Sequence, residues 1–132
     1  MKNTIFKILK YSYYFSLVSL FVLYLFPGSL IGYFLYGNLG QQPDLIPNPI
    51  GTSINHLISF TWLSFLAFIM RVKEKKFINS FQFLFFTSIL LEILHYFIPN
   101  RAFEYYDLFA NCIGIVLTYL LIQLILKNIN KN

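Results

Sequence analysis

The sequence predicts an all-α, polytopic membrane protein: four transmembrane helices in one bundle, with both termini in the cytoplasm. Three observations predict it. The 132 residues are 58% hydrophobic and 20% aromatic but only 11% charged, where soluble domains carry about 25% charged residues. A soluble chain of this size cannot hide so much apolar surface in one core. The ten Lys and Arg residues flank apolar runs and form no basic face, so the net charge of +5 does not point to nucleic acid.

The first span is expected at about residues 8–26 and ends at Pro27-Gly28. Its apolar run falls slightly short of the roughly 20 residues that a hydrocarbon core of about 30 Å requires. Lys7 and Lys10 extend it if their ammonium groups reach back to the headgroups. No small-x-small cleavage site follows, so a retained helix is favoured over a signal peptide. Ser29 to Tyr36 is apolar but short, and reads as an interfacial or re-entrant piece with a Tyr33, Phe34 and Tyr36 belt. The following stretch, GNLGQQPDLIPNPIGTS, is too rich in proline and glycine for a helix.

The second span, 54–70, stops at the basic run RVKEKK. The third, 77–98, is closed by Pro99, and the fourth, 107–126, precedes a polar tail. Asp107 is expected as the N-cap of this last helix, at the positive end of its dipole. The whole chain reads as one domain. Lys2, Lys7, Lys10, Arg71, Lys73, Lys75, Lys76, Lys127 and Lys131 fall on one side of these spans and Arg101 on the other. Basic loops stay in the cytoplasm, which turns the Pro27–Ser53 and Pro99–Tyr106 loops outward.

That topology gathers distant polar residues at the outer end. His56 lies in the first turn of span two. Glu92 is roughly 9 Å deep in span three at 1.5 Å per residue, with His95 at i+3 on the same face. Asp107, Asn111, Gly114 and Thr118 make one stripe on span four. Ionisable groups inside membrane segments cost roughly 2.5–3.5 kcal/mol on insertion scales, which makes them functional suspects. Arg101, in the loop between spans three and four, is expected to pair with Asp107 or Glu92, because a desolvated charge without a partner is costly.

Each residue also has a structural use. Glu92 and Arg101 could simply lock a hairpin, Asn111 could join helices and Gly114 could permit close approach. His56, Glu92, His95 and Asp107 include metal-binding types, but no H-E-x-x-H or cysteine framework accompanies them, so no metal or other cofactor is expected. The lone Cys112 reads as a small packing residue. No Ser or Cys stands beside a base in sequence, which leaves nucleophilic catalysis without a signal.

The arrangement resembles the VanZ-like family of small bacterial membrane proteins. That family is similar in its four spans and in a signature of E-x-x-Q, an Arg loop, then D-x-x-x-N-x-x-G. The matching positions here are Glu92, Arg101, Asp107, Asn111 and Gly114, and His56 occupies a His that the family places at the start of its second span. His95 stands where the family has Gln, and Thr52-Ser53 replaces an Asp-Lys pair. The resemblance implies a protein of the bacterial cytoplasmic membrane with a role at the cell envelope, its family name coming from teicoplanin resistance.

The functional expectation is an outward-facing polar pocket formed by His56, Glu92, His95, Arg101, Asp107 and Asn111. Its expected partners are the bilayer and a lipid-linked cell-wall precursor. An intramembrane enzyme acting on such a lipid is the alternative, with His56 or His95 as base; a purely structural membrane partner is the third.

Overall fold

The computed structural model describes residues 2–43, 51 and 53–129. Most of the proline-rich loop expected after Gly37, position 52, and the last three residues of the polar tail lie outside the described residues. Five helices follow in order: α1 (Lys2–Leu25), α2 (Leu30–Tyr36), α3 (Ser53–Lys73), α4 (Phe81–Leu94) and α5 (Tyr105–Ile129). No strand occurs among the described residues. Three of the helices, α1, α3 and α5, are long and apolar enough to cross a membrane.

The buried positions follow helical periodicity. Tyr13, Leu17, Leu20 and Tyr24 form the inner stripe of α1; Phe60, Leu63, Ala67 and Met70 form that of α3. Opposite faces remain bare: Tyr11, Phe15 and Val18 on α1 and Leu117, Leu121 and Leu124 on α5 are all well exposed. Apolar surface this extensive is stable only against lipid. The chain is a membrane protein.

Helices α3 and α5 make the most extensive contact, and Gly114 explains why they can. A Cβ at Gly114 would sit 2.8 Å from the Leu57 carbonyl and 2.9 Å from Thr61 Oγ1. Only a glycine lets the two backbones come this near, as small residues do in membrane bundles. One turn further along, Thr118 Oγ1 donates to the Gly114 carbonyl at 2.8 Å.

The third expected span differs from its prediction as one run over 77–98. It comes in three pieces: a 3₁₀ turn at Phe77–Asn79, α4, and a second 3₁₀ turn at His95–Phe97. Ser80 interrupts the first junction with extended backbone, and its hydroxyl caps α4 by accepting from the Phe83 N–H at 3.1 Å. At the other end the His95 N–H reaches the carbonyls of both Leu91 and Glu92, which tightens the helix into 3₁₀ form. With 14 residues, α4 alone is about 21 Å long, short of a hydrocarbon core.

Two contacts define the ends of the bundle. At one, Lys10 Nζ pairs with Glu74 at 2.7 Å and Lys76 with the same carboxylate at 3.1 Å, tying α1 to the basic α3–α4 loop. These hydrogen bonds, Lys10 first, pull the Glu74 pKa below its ordinary value. At the other end, Pro99 and Asn100 turn the chain, with Asn100 in the left-handed region at φ 59° and the Arg101 N–H closing on the Ile98 carbonyl. That turn delivers Arg101 to the carboxyl end of α1. The short α2 lies at this end too, capped by Ser29 and closed by Gly37 at φ 68°.

Candidate functional site

Four helices converge on one imidazole. His56, on the first turn of α3, is 5% exposed. Its Nε2 lies 3.2 Å from Asp107 Oδ2, and its Nδ1 lies 2.9 Å from the Tyr24 hydroxyl and 3.9 Å from Glu92 Oε2. Tyr24 comes from α1, Glu92 from α4 and Asp107 from α5. The Tyr24 hydroxyl also donates to Asn111 Oδ1 at 3.2 Å. Asp107 is fixed from its other side by the Ser53 hydroxyl, which donates to Oδ1 at 2.5 Å.

Glu92 is fully buried. Its Oε1 accepts from the Glu104 N–H at 3.0 Å and lies 3.4 Å from His95 Nδ1. His95 in turn places Nε2 3.0 Å from the Tyr24 carbonyl and stacks on the Tyr24 ring, with centroids 5.5 Å apart. Glu92 Oε2 and Asn111 Nδ2 are buried without a hydrogen-bond partner among the described residues.

Of the residues expected from sequence, His56, Glu92, His95, Asp107 and Asn111 therefore meet in one cluster, and Gly114 lies below it at the α3–α5 contact. Two expectations are corrected. Asp107 is not the N-cap of the last helix: α5 begins at Tyr105, so Asp107 sits inside the first turn, where its carboxylate turns inward to Ser53 and His56. Arg101 pairs with neither carboxylate. Its Nη2 donates to the Leu23 carbonyl at 2.6 Å and its Nε to the Phe26 carbonyl at 3.3 Å.

The physical reason is competition for the guanidinium. The end of α1 leaves carbonyls without intrahelical donors, carrying the negative end of the helix dipole. Arg101 caps them and stays half-buried, and that burial lowers its pKa despite the pull of nearby Glu92 and Asp107. Glu104, in the same loop, is shifted the other way: burial first, then the charges of Asp107 and Glu92, raise its pKa.

Tyr24 and Ser53 are the site residues that sequence reasoning missed. Tyr24 is one of ten tyrosines, and nothing in its type marks it. Its place on the Tyr13–Leu17–Leu20 stripe, at the carboxyl end of α1, was the available signal. Ser53 carried none beyond standing three residues before His56.

A cavity of about 180 Å³ adjoins the cluster, bounded by Tyr24, His56, Ser29, Leu35, Asn55 and Arg101 among others. A larger one, about 550 Å³, lies at the opposite end against Arg71, Lys75 and Tyr119, away from the cluster.

Residues 13–126 match the family model described as VanZ/LLP1, well over half of the chain. The chain belongs to the VanZ/LLP1 family. No curated protein and no solved structure gives a match. The VanZ/LLP1 match spans α1 to α5, so every residue of the cluster, Tyr24 included, falls within it.

Proposed function

We propose that this VanZ/LLP1 protein crosses the bacterial cytoplasmic membrane four times, with both termini inside, and binds the headgroup of an envelope lipid at its outer end. The two 3₁₀ turns add about 6 Å each to α4, bringing that segment close to the length of a membrane core. The observation that carries the binding reading is the placement of Arg101 and His56 on one cavity. A guanidinium beside a low-dielectric wall suits a phosphate, and the apolar surface of Leu23, Leu30 and Leu35 suits the start of an acyl or prenyl tail. A lipid-linked cell-wall precursor has both parts. Shielding such a precursor is the route by which the site would act in glycopeptide resistance.

The test is extraction of the full chain in mild detergent, followed by lipid mass spectrometry and titration with a polyprenyl phosphate. Co-purification of a prenyl phosphate lipid is expected, with affinity at least about tenfold weaker in Arg101→Gln, the loss of one charge-assisted contact. Equal affinity for wild type and Arg101→Gln, with no prenyl phosphate carried through purification, would reject the reading. Inorganic phosphate alone serves as the competitor: displacement by it would show that the tail contributes nothing.

A second reading is favoured by one specific feature, the bracketing of His56 by Asp107 and Glu92 within 4 Å. A buried imidazole oriented by a carboxylate is the arrangement of a general base. Under it Glu92→Gln abolishes turnover of an envelope lipid while leaving its binding intact.

A further inference from the structure

The buried cluster is crowded with acceptors. Two carboxylates, Glu92 and Asp107, share with the imidazoles of His56 and His95 a space with almost no solvent exposure, and the Arg101 guanidinium donates to the end of α1 instead. Burying unpaired carboxylates costs several kcal/mol per ion, so something cationic belongs among them.

The hydrogen-bond directions say where. The Tyr24 hydroxyl donates to Asn111 Oδ1, so its oxygen accepts from His56 Nδ1–H. A neutral His56 protonated on Nδ1 presents a lone pair on Nε2. That lone pair faces Asp107 Oδ2, also an acceptor, at 3.2 Å. Two acceptors at that distance hold a proton or a metal ion between them. A proton would satisfy His56 and Asp107 but would leave Glu92 Oε2, fully buried and without a hydrogen-bond partner, unpaired. A metal ion serves all three.

We infer that His56, Glu92 and Asp107 form a binding site for a divalent metal ion of the zinc type, with His56 contributing Nε2 and each carboxylate one oxygen. One ligand atom from each residue lies within 4.8 Å of the others. Ligand atoms about 2.1 Å from a tetrahedral zinc stand about 3.4 Å apart. The His56 Nε2–Asp107 pair is already that close, and Glu92, whose Oε2 lies 3.9 Å from the other ring nitrogen, turns toward Nε2 to complete the set. The surrounding contacts are those that metal ligands need: His56 spends its other ring nitrogen on Tyr24, and Asp107 its other oxygen on Ser53. Sequence spacing gives no hint of this because the ligands come from three helices.

The inference does not depend on the lipid reading, and its test uses metal alone. Full-length protein in detergent is stripped with a chelator and titrated with Zn²⁺, then with Co²⁺. Wild type should take up one zinc per chain by elemental analysis, and Co²⁺ should give the visible bands of a low-coordinate site. Affinity should fall at least about tenfold in His56→Gln, Glu92→Gln and Asp107→Asn, and by a smaller factor in Ser53→Ala, which touches only the outer contact. Glu74→Gln, at the other end of the bundle, should bind as wild type does. Failure of wild type to hold stoichiometric zinc or cobalt overturns the inference without reference to any variant and leaves protons as the shared cation. Retention of full affinity by folded His56→Gln and Asp107→Asn overturns it as well.

Discussion

Tyr24 joins three residues of the cluster: its hydroxyl bridges His56 and Asn111, its ring stacks on His95, and its carbonyl meets His95 Nε2. Replacement by Phe keeps the ring and the carbonyl and removes only the hydroxyl. That leaves Asn111 Oδ1 and His56 Nδ1 in a dry site without their partner, a loss of about 1–3 kcal/mol for each buried group so stranded. Tyr24→Phe is therefore expected to lower the thermal unfolding temperature in detergent by several degrees. Tyr13→Phe is the comparison: it also loses a hydrogen bond, from its hydroxyl to the Ile78 carbonyl, but outside the cluster. If metal is bound as inferred, added zinc should narrow the Tyr24→Phe deficit less than it stabilises wild type, because the orienting partner of His56 is gone. An unfolding temperature equal to wild type would show that the Tyr24 hydroxyl is dispensable to the cluster.

At the scale of elements, the parallel pair α3 and α5 carries the site, since His56 and Asp107 are held in register by the close approach at Gly114. Cβ contacts of 2.8–3.0 Å with Leu57 and Thr61 backbone and hydroxyl atoms leave no room for a side chain. Gly114→Leu forces the helices apart, an overpacking cost of about 1–3 kcal/mol or more. The separation should propagate along the helices to the His56–Asp107 contact, so the variant should lose both thermal stability and metal uptake; full retention of both would show that the pair is less rigidly coupled than its packing implies. This stripe was legible in the sequence, because Asp107, Asn111, Gly114 and Thr118 repeat at helical spacing. The breaks in the third span were not. Phe77 to Ile98 is uniformly apolar, and periodicity cannot reveal that Ser80 takes extended backbone to cap α4, or that His95 closes the helix in 3₁₀ form. The start of α5 was misplaced for a related reason: Asp107 is a strong capping type, yet a buried Ser53 and His56 offered its carboxylate better partners than its own backbone. Arg101 was misassigned because the orphan carbonyls of a distant helix end have no signature in side-chain sequence.

For the whole molecule, the charge pattern and the geometry bear on the same axis. Lys10 meets Glu74 at one end of α1, while Arg101 meets Leu23 and Phe26 at the other. Thus the chain from the basic loop through α4 to Arg101 runs from one end of the bundle to the other, parallel to α1. In the proposed orientation, which rests on the nine-to-one distribution of Lys and Arg in the sequence, the Lys10 end is cytoplasmic and the cluster lies in the outer leaflet, where an envelope lipid and extracellular metal would reach it. Single-cysteine labelling in intact cells reads this directly. In a Cys112→Ser background, which removes the chain's sole thiol, a membrane-impermeant maleimide is expected to modify Gln41→Cys and Asn100→Cys and to spare Lys75→Cys until the membrane is opened. Labelling of Gln41→Cys without Asn100→Cys would mean that α4 turns back within the bilayer, leaving three crossings and a cluster closed to the outside. Labelling of Lys75→Cys alone would invert the protein, place Arg101 at the inner face and remove the physical basis for binding an outer-leaflet precursor; the metal inference, which rests on His56, Glu92 and Asp107 alone, would survive either result.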